Sequence, residues 1–311
     1  MNSPATARQV QTITDAEVRD ALSEICPEAG ITDVGPGPSS YSNRLWRADS
    51  EIGPLLVRIP GRTTDPEDLR AAVEASRIAS EAGIPTVRYH TFAATTRFGL
   101  PVLVQYLTPG ENATAAVRAG RAKITEVAAQ LGSWVGQLHR IRRDAAGSVL
   151  EPDGHQEWAE VVSERVYTTL RLLPASALPA APAEVEQAFL SVIAEPVPPE
   201  PASLLHGDLY LDNVLVDNGV PTVLLDFEHA RYGDRFADFG KLTELVFEWW
   251  PGSEEPFRRA YAEYFPPEPE DVTRLHLANG LYALTQIGYF ARWQPDLVPF
   301  YRSRLADWLP V

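Results

Sequence analysis

Two short apolar runs, each ending in a carboxylate, constrain this chain more than any other feature. From Ser203 to Leu242 it reads S-L-L-H-G-D-L-Y-L-D-N-V-L-V-D, then V-P-T-V-L-L-D-F-E-H-A, then D-R-F-A-D-F-G-K-L. The pattern predicts two buried strands joined by a turn, with polar side chains emerging where the strands stop. Asp208 follows the first run, Asn213 lies five residues on, and Asp226 closes the apolar Val223–Leu225. An acid at the end of an apolar strand is costly unless a cation compensates it. Magnesium-dependent phosphoryl transfer uses such a set: one carboxylate beside the attacking hydroxyl, and an amide and a second carboxylate on the metal that grips the nucleotide phosphates. On that chemistry Asp208 is the catalytic group and Asn213 and Asp226 are the metal ligands.

The 311 residues suit two domains or lobes around one cleft, and the 45% apolar content is enough for a core. A single cysteine, Cys26, permits no disulfide within the chain, which fits a reducing compartment. The N-terminus lacks the apolar centre of a signal peptide, and no apolar run approaches the roughly 20 residues that span a bilayer. A soluble, cytoplasmic protein with no membrane partner is expected. The net charge of −15 is uneven: residues 1–105 carry 10 basic and 13 acidic side chains, residues 106–311 carry 17 and 29. That balance argues against a nucleic-acid partner, which needs a basic footprint. It fits a cationic small molecule drawn to the second part, and it equally fits plain solubility.

Before Gln105 the pattern predicts a helix capped by Asp15, then a strand, a Gly/Ser-rich turn and a second strand holding Leu45-Trp46 within I-T-D-V-G-P-G-P-S-S-Y-S-N-R-L-W-R-A-D, a third strand at Pro54–Pro60, a helix from Asp65 or Pro66 to Ala82, and strands at 86–90 and 101–107. After Thr108-Pro109-Gly110 the character turns helical. Apolar residues recur at three- and four-residue steps over 114–141, and further helices are expected over 157–172, 183–193 and, between proline-bearing breaks, from Asp238 to the end.

These motifs, in this order, resemble the aminoglycoside phosphotransferase and choline-kinase-like superfamily of small-molecule kinases. The most specific part is L-L-H-G-D-L-Y-L-D-N-V-L-V-D with V-L-L-D-F-E. S-Y-S-N-R-L-W-R-A, L-L-V-R-I-P, V-L-V-Q-Y-L-T-P-G-E and L-G-S-W-V-G-Q-L-H-R-I add weight by order and spacing. The resemblance implies an α+β, bilobal, protein-kinase-like fold. A small five-stranded N-lobe with one helix (1–105) would bind nucleotide, and a larger, mostly helical C-lobe (106–311) would hold the catalytic loop and the substrate. It implies ATP, or GTP, and Mg²⁺ as cofactors.

It also assigns roles. Ser39, Ser40, Tyr41 and Ser42 fall in the phosphate-loop position, although Pro36 and Pro38 each remove a backbone donor there. The family's third-strand lysine is absent: the only lysines are Lys123 and Lys241, and Arg58 takes the position. A guanidinium can grip phosphate in bidentate fashion but is not equivalent to an ammonium. Its helix partner is expected to be Glu74, with Glu67 and Glu81 as alternatives. Gln105 and Leu107 would offer backbone to the base behind a Val104 gatekeeper. Asp238-Phe239-Gly240 spells a metal motif but does not follow an apolar strand; Asp238 is read as structural, capping the next helix. His206 and His139 are read as structural and Asp212 as a turn residue.

Substrate contacts would come from the C-lobe. Tyr282, Tyr289 and Trp293 share a helical face and, with Trp249 and Trp250, form either an aromatic wall or ordinary core; Glu157, Glu160 and Glu164 are either amine contacts or a solvated face. The partner is a hydroxyl-bearing, cationic small molecule, first an aminoglycoside-type antibiotic and second choline, ethanolamine or a sugar; Glu228 after Asp-Phe looks more like the choline-kinase branch. A nucleotide-binding pseudokinase is the alternative of another class, and the oligomeric state is open.

Overall fold

The computed structural model describes residues 13–38, 43–60, 65–150, 158–195 and 200–310. It divides into two compact units, Met1–Gly110 with Val223–Glu228 and Glu111–Thr222 with His229–Val311.

The first unit opens with helix α1 (Asp15–Ile25). Its cap is Thr14, not Asp15: the Thr14 side chain takes the Glu17 amide while the Glu17 carboxylate reaches back to the Thr14 N–H. T-D-A-E satisfies the reciprocal capping pattern with threonine first. Asp15 instead accepts a hydrogen bond from Trp46 Nε1 at 2.9 Å. Strands β1 (Ile31–Pro36), β2 (Asn43–Ser50), β3 (Leu55–Pro60), β4 (Tyr89–Ala93) and β5 (Val102–Tyr106) form one antiparallel sheet in the order β1-β2-β3-β5-β4. Trp46, Leu55, Val57, Ile59, Val102 and Val104 pack with Val18 and Leu22 of α1. Helix α2 (Pro66–Glu81) starts as expected, with Asp65 capping the Glu67 amide and Pro66 in the first turn.

The fourth strand begins three residues later than the sequence pattern suggests. Residues 85–87 are engaged elsewhere: Pro85 O accepts the Leu224 amide at 2.9 Å and Thr86 forms an isolated parallel bridge with Leu224.

In the second unit, the helix expected over 114–141 is two helices, α3 (Ala113–Arg118) and α4 (Ile124–His139). Gly120 takes a left-handed φ of 69° and the Arg121 amide folds back to Ala116 O, a helix stop that apolar periodicity does not register. Short β6 (Glu111–Asn112) and β7 (Arg142–Arg143) flank them, followed by α5 (Trp158–Leu172) and α6 (Pro182–Ile193). Strands β8 (Ala202–Leu205), β9 (Val214–Asp217), β10 (Val220–Leu224) and β11 (Arg231–Gly233) complete two small sheets, ordered β10-β9-β6 and β11-β8-β7. Helices α7 (Phe239–Leu242), α8 (Glu254–Ala262), α9 (Asp271–Trp293) and α10 (Val298–Trp308) finish the chain, with a π-helical turn at Thr243–Glu248. The core joins Val162, Phe189, Leu284 and Leu305, and Phe189 stacks on Trp308 with centroids 4.2 Å apart. Among the described residues no helix is long and apolar enough to cross a membrane.

Trp46 is 1% exposed at the centre of the first core. Trp46→Ala is therefore expected to cost about 4 kcal/mol of stability. Urea denaturation checks this, and a loss below about 1 kcal/mol would mean the site collapses around the smaller side chain.

Candidate active site

Asp208 is reached through a chain of local constraints in the second unit. All four residues of β8 are buried, so the strand end is fixed in depth. Gly207 follows with φ 78°, and a Cβ there would lie 2.3 Å from the carbonyl oxygen of His229. Only glycine fits both the backbone angle and the approach. The Asp208 N–H donates to His206 Nδ1 at 3.2 Å, so His206 is buried as a structural support.

The Asp208 carboxylate is held at both oxygens. Asn213 Nδ2 donates to Oδ2 at 2.9 Å and to the Asp208 backbone carbonyl at 2.9 Å, while Lys241 Nζ donates to Oδ1. Burial would raise the Asp208 pKa, but the Lys241 ammonium, with His206 and His229 behind it, outweighs burial and leaves it below the ordinary aspartate value. With the Asn213 nitrogen spent on Asp208, its amide oxygen is what remains for a cation. Asp212 is exposed on the intervening turn.

Beneath this loop lies Asp238, 2% exposed. Its Oδ2 accepts the His206 amide at 2.9 Å, its Oδ1 accepts the Gly207 amide at 2.7 Å, and His139 Nε2 stands 3.1 Å from Oδ2. His139 Nδ1 meets the Tyr261 hydroxyl at 2.9 Å. Asp238 is structural, but it makes no side-chain cap on α7; its oxygens are taken by the loop amides. Burial pushes its pKa up, and the His139 bond and charge bring it below the usual range.

Within the first unit, Arg58 of β3 is ion-paired with Asp226, 3.3 Å from its Oδ1, and with Glu228. Burial alone would lower the Arg58 pKa; the carboxylates of Asp226 and Glu228 raise it above its ordinary value. Asp226 has a left-handed φ of 62°, a strained conformation for a non-glycine residue. Two carboxylates set against Arg58 are those that follow β10. The expected partner Glu74 is gripped by Arg77 of its own helix at 2.6 and 2.8 Å, because residues three apart share a helix face; Glu81 pairs with Arg77 as well, and Glu67 lies 3.3 Å from Arg70.

Gln105 sits in β5 with β3 on one side and β4 on the other, and is buried. The Leu107 N–H donates to Pro54 O at 2.9 Å, so a base docking at this edge competes with that bond. Val104 is fully buried in the sheet. The Ser39, Ser40, Tyr41 and Ser42 positions lie outside the described residues, as does Glu157. Glu160 and Glu164 are exposed on α5. The aromatic residues do not share one environment: Tyr282 meets Tyr301 edge-on at 6.3 Å, whereas Trp249 and Trp293 are exposed.

Asn213 and Asp226 contribute hard oxygen donors of the kind magnesium takes. Among the described residues no group of three or more His, Cys, Asp and Glu could hold a metal ion. Nucleotide-bound magnesium needs only one or two protein ligands and takes the rest from phosphate and water. The Lys241 contact to Asp208 is one that motif reading does not reach. Its signal was its rarity, one of two lysines, and its place three residues after Asp238.

A family model described as the phosphotransferase enzyme family matches residues 33–275. No curated protein matches the chain by sequence. Among solved structures, a protein named as a fructosamine-3-kinase from Haemophilus somnus 129PT superposes with a TM-score of 0.71 at 18% identity, covering 94% of this chain and 97% of its own. The macrolide 2'-phosphotransferase MphH from Brachybacterium faecium gives 0.62 at 20% identity, with 95% and 97% covered. Aminoglycoside phosphotransferase APH(4)-Ia gives 0.70 at 16% identity, with 95% and 98% covered. At these identities the likeness speaks to the fold, which is the bilobal kinase-like one.

Asn at position 238 would keep one acceptor oxygen for three partners, the two loop amides and His139, and would turn a donor toward the rest. Asp238→Asn is expected to cost about 3 kcal/mol at pH 7. Its folded pKa lies below the unfolded value of 3.8. The stabilisation is therefore present above the unfolded pKa and is lost as pH falls through the folded one. Urea unfolding at pH 7 and pH 3 should show the gap between parent and variant narrowing in acid; a gap that is constant with pH would contradict the assignment.

Proposed function

We propose, starting from the fact that the chain belongs to the phosphotransferase enzyme family, that it transfers the γ-phosphoryl group of ATP to a hydroxyl of an aminoglycoside-type or related antibiotic, and does so in the cytoplasm. The observation that carries the chemistry is Asp208. It is a partly buried carboxylate kept ionised by Lys241 and steadied by Asn213, at the end of a strand whose exit only glycine can make. Such a group orients an alcohol and accepts its proton as the oxygen bonds to phosphorus. Asp226 and Asn213 would hold magnesium, which when bound neutralises charge on the nucleotide phosphates. Arg58, already buried against two acids, would supply the cationic contact to phosphate that a lysine makes elsewhere in the family.

Nucleotide identity is the finer step. Structures of the neighbour APH(4)-Ia carry ADP or AMP-PNP with hygromycin B, and one of aminoglycoside 2'-phosphotransferase-IIIa carries GDP. The former favour ATP for this chain and keep GTP as the comparison. The acceptor rests on the same neighbours and on the acidity of residues 106–311. A metabolite acceptor, a choline, ethanolamine or sugar derivative, is the second reading. Glu228 after Asp-Phe and the fructosamine-3-kinase neighbour favour it.

Nucleotide turnover measured against aminoglycosides, macrolides, choline, ethanolamine and glycated amines separates the two, and stimulation by none of them would remove both and leave nucleotide binding without transfer. Asp208→Asn should lower kcat by about 10³-fold while leaving nucleotide affinity within about threefold; an unchanged kcat refutes its role. Asp226→Ala should weaken magnesium-dependent nucleotide binding by about tenfold or more, read by calorimetry with and without Mg²⁺. An unaltered metal requirement would count against Asp226 as a ligand.

A further inference from the structure

We propose that Lys241 is the positioning residue for Asp208, holding its carboxylate in the one orientation from which it receives the acceptor's proton. This rests on the reading of Asp208 as the group that meets the acceptor hydroxyl. A free aspartate rotates about its side-chain bonds, and a hydroxyl delivered to a swinging carboxylate reacts slowly. Here each oxygen has its own donor, Asn213 Nδ2 on Oδ2 and Lys241 Nζ on Oδ1. Asn213 comes from the loop itself, and Lys241 from a different element, α7.

That element already carries the loop. Asp238 and Lys241 are three residues apart, so they project from one side of the same helical turn. Asp238 binds the loop's backbone at His206 and Gly207, and Lys241 binds its reacting side chain. The turn cannot shift easily. A Cβ on Gly240 would lie 2.7 Å from the Tyr282 Cβ and 3.0 Å from the Ala278 carbonyl, and Phe239 is buried edge-on against Tyr261 at 5.2 Å. The ammonium also lies 4.4 Å from the centre of the Tyr210 ring, which fixes it from a second side. The competing acid one turn on, Glu244, accepts the Tyr301 hydroxyl at 2.8 Å and stands 3.8 Å from Arg304. In the transfer, the acceptor oxygen bonds to the γ-phosphorus, the bond from that phosphorus to the leaving nucleoside diphosphate breaks, and the acceptor proton passes to Asp208. Lys241 keeps its proton throughout.

The chain has two lysines, with side chains 77% exposed at Lys123 and 22% at Lys241, so each can be followed separately by mass spectrometry. Acetylation by an N-hydroxysuccinimide ester should be slow at Lys241 in the parent. It should accelerate roughly tenfold in Asp208→Asn, with Lys123 unchanged, since a charge-assisted bond is lost. In turnover with whichever acceptor the parent phosphorylates, Lys241→Met should lower kcat about 10²-fold with the KM for nucleotide within about threefold. Lys241→Arg should recover about a tenth of parental kcat or more, and Lys241→Met should add nothing in the Asp208→Asn background. Equal Lys241 labelling in parent and Asp208→Asn, or a Lys241→Met kcat within about threefold of the parent, overturns the proposal. Full turnover by Asp208→Asn would instead remove the role of Asp208 and the proposal with it, a different result from an inactive Asp208→Asn beside an active Lys241→Met. If Lys241→Met does not fold, labelling of the parent and Asp208→Asn decides.

Discussion

The second unit is arranged around one buried anion. Asp238 is almost without solvent, yet it remains a carboxylate because four partners compensate for lost water: two loop amides by hydrogen bonds, and the imidazoles of His139 and His206 by bond or charge. Each partner is fixed in turn. His139 ends a long buried helix and leans on Tyr261, which stacks within the aromatic group of Phe257 and Phe265. The position of the Asp208 loop is therefore set by helix packing far from it in sequence.

The first unit meets the same electrostatic problem differently. Arg58 is 8% exposed on a central strand, where a solitary guanidinium would be unstable. The chain satisfies it with Asp226 and Glu228, carried on the segment Val223–Glu228 that belongs to the same unit. The strained φ of Asp226 fits that arrangement, since the segment must turn sharply straight after a buried strand.

Phosphotransferase chemistry on a hydroxyl follows from how little such a reaction asks of the protein: positioned carboxylates and compensating cations rather than covalent chemistry. The variable part is the acceptor surface. The mixed environments of Tyr282, Trp249 and Trp293, one packed and two exposed, show that aromatic spacing on a helix does not by itself make a binding wall.

Much was legible in the order of residues. Apolar runs ending in acids marked β8 and β10 and picked out Asp208, Asn213 and Asp226, because a carboxylate after a buried strand is rarely incidental. Strand patterning and capping residues placed β3, β5 and α2 to within a residue or so and marked β1 and β2 as a strand–turn–strand unit; β4 starts later, where Pro85 and Thr86 are bound to Leu224 from far along the chain. The periodic stretch over 114–141 reads as one helix and folds as two, because a single left-handed glycine interrupts it without disturbing the apolar pattern. What local sequence determined was therefore the reaction type and the strand ends at which these polar groups stand. Which cation serves which of these anions was decided by tertiary structure alone: Lys241 on Asp208, and Arg58 on Asp226 and Glu228. The reason is physical. Hydrophobic periodicity and capping act over a few residues and are written locally. Ion pairs form between whatever charges packing brings within a few ångströms, here up to 170 positions apart.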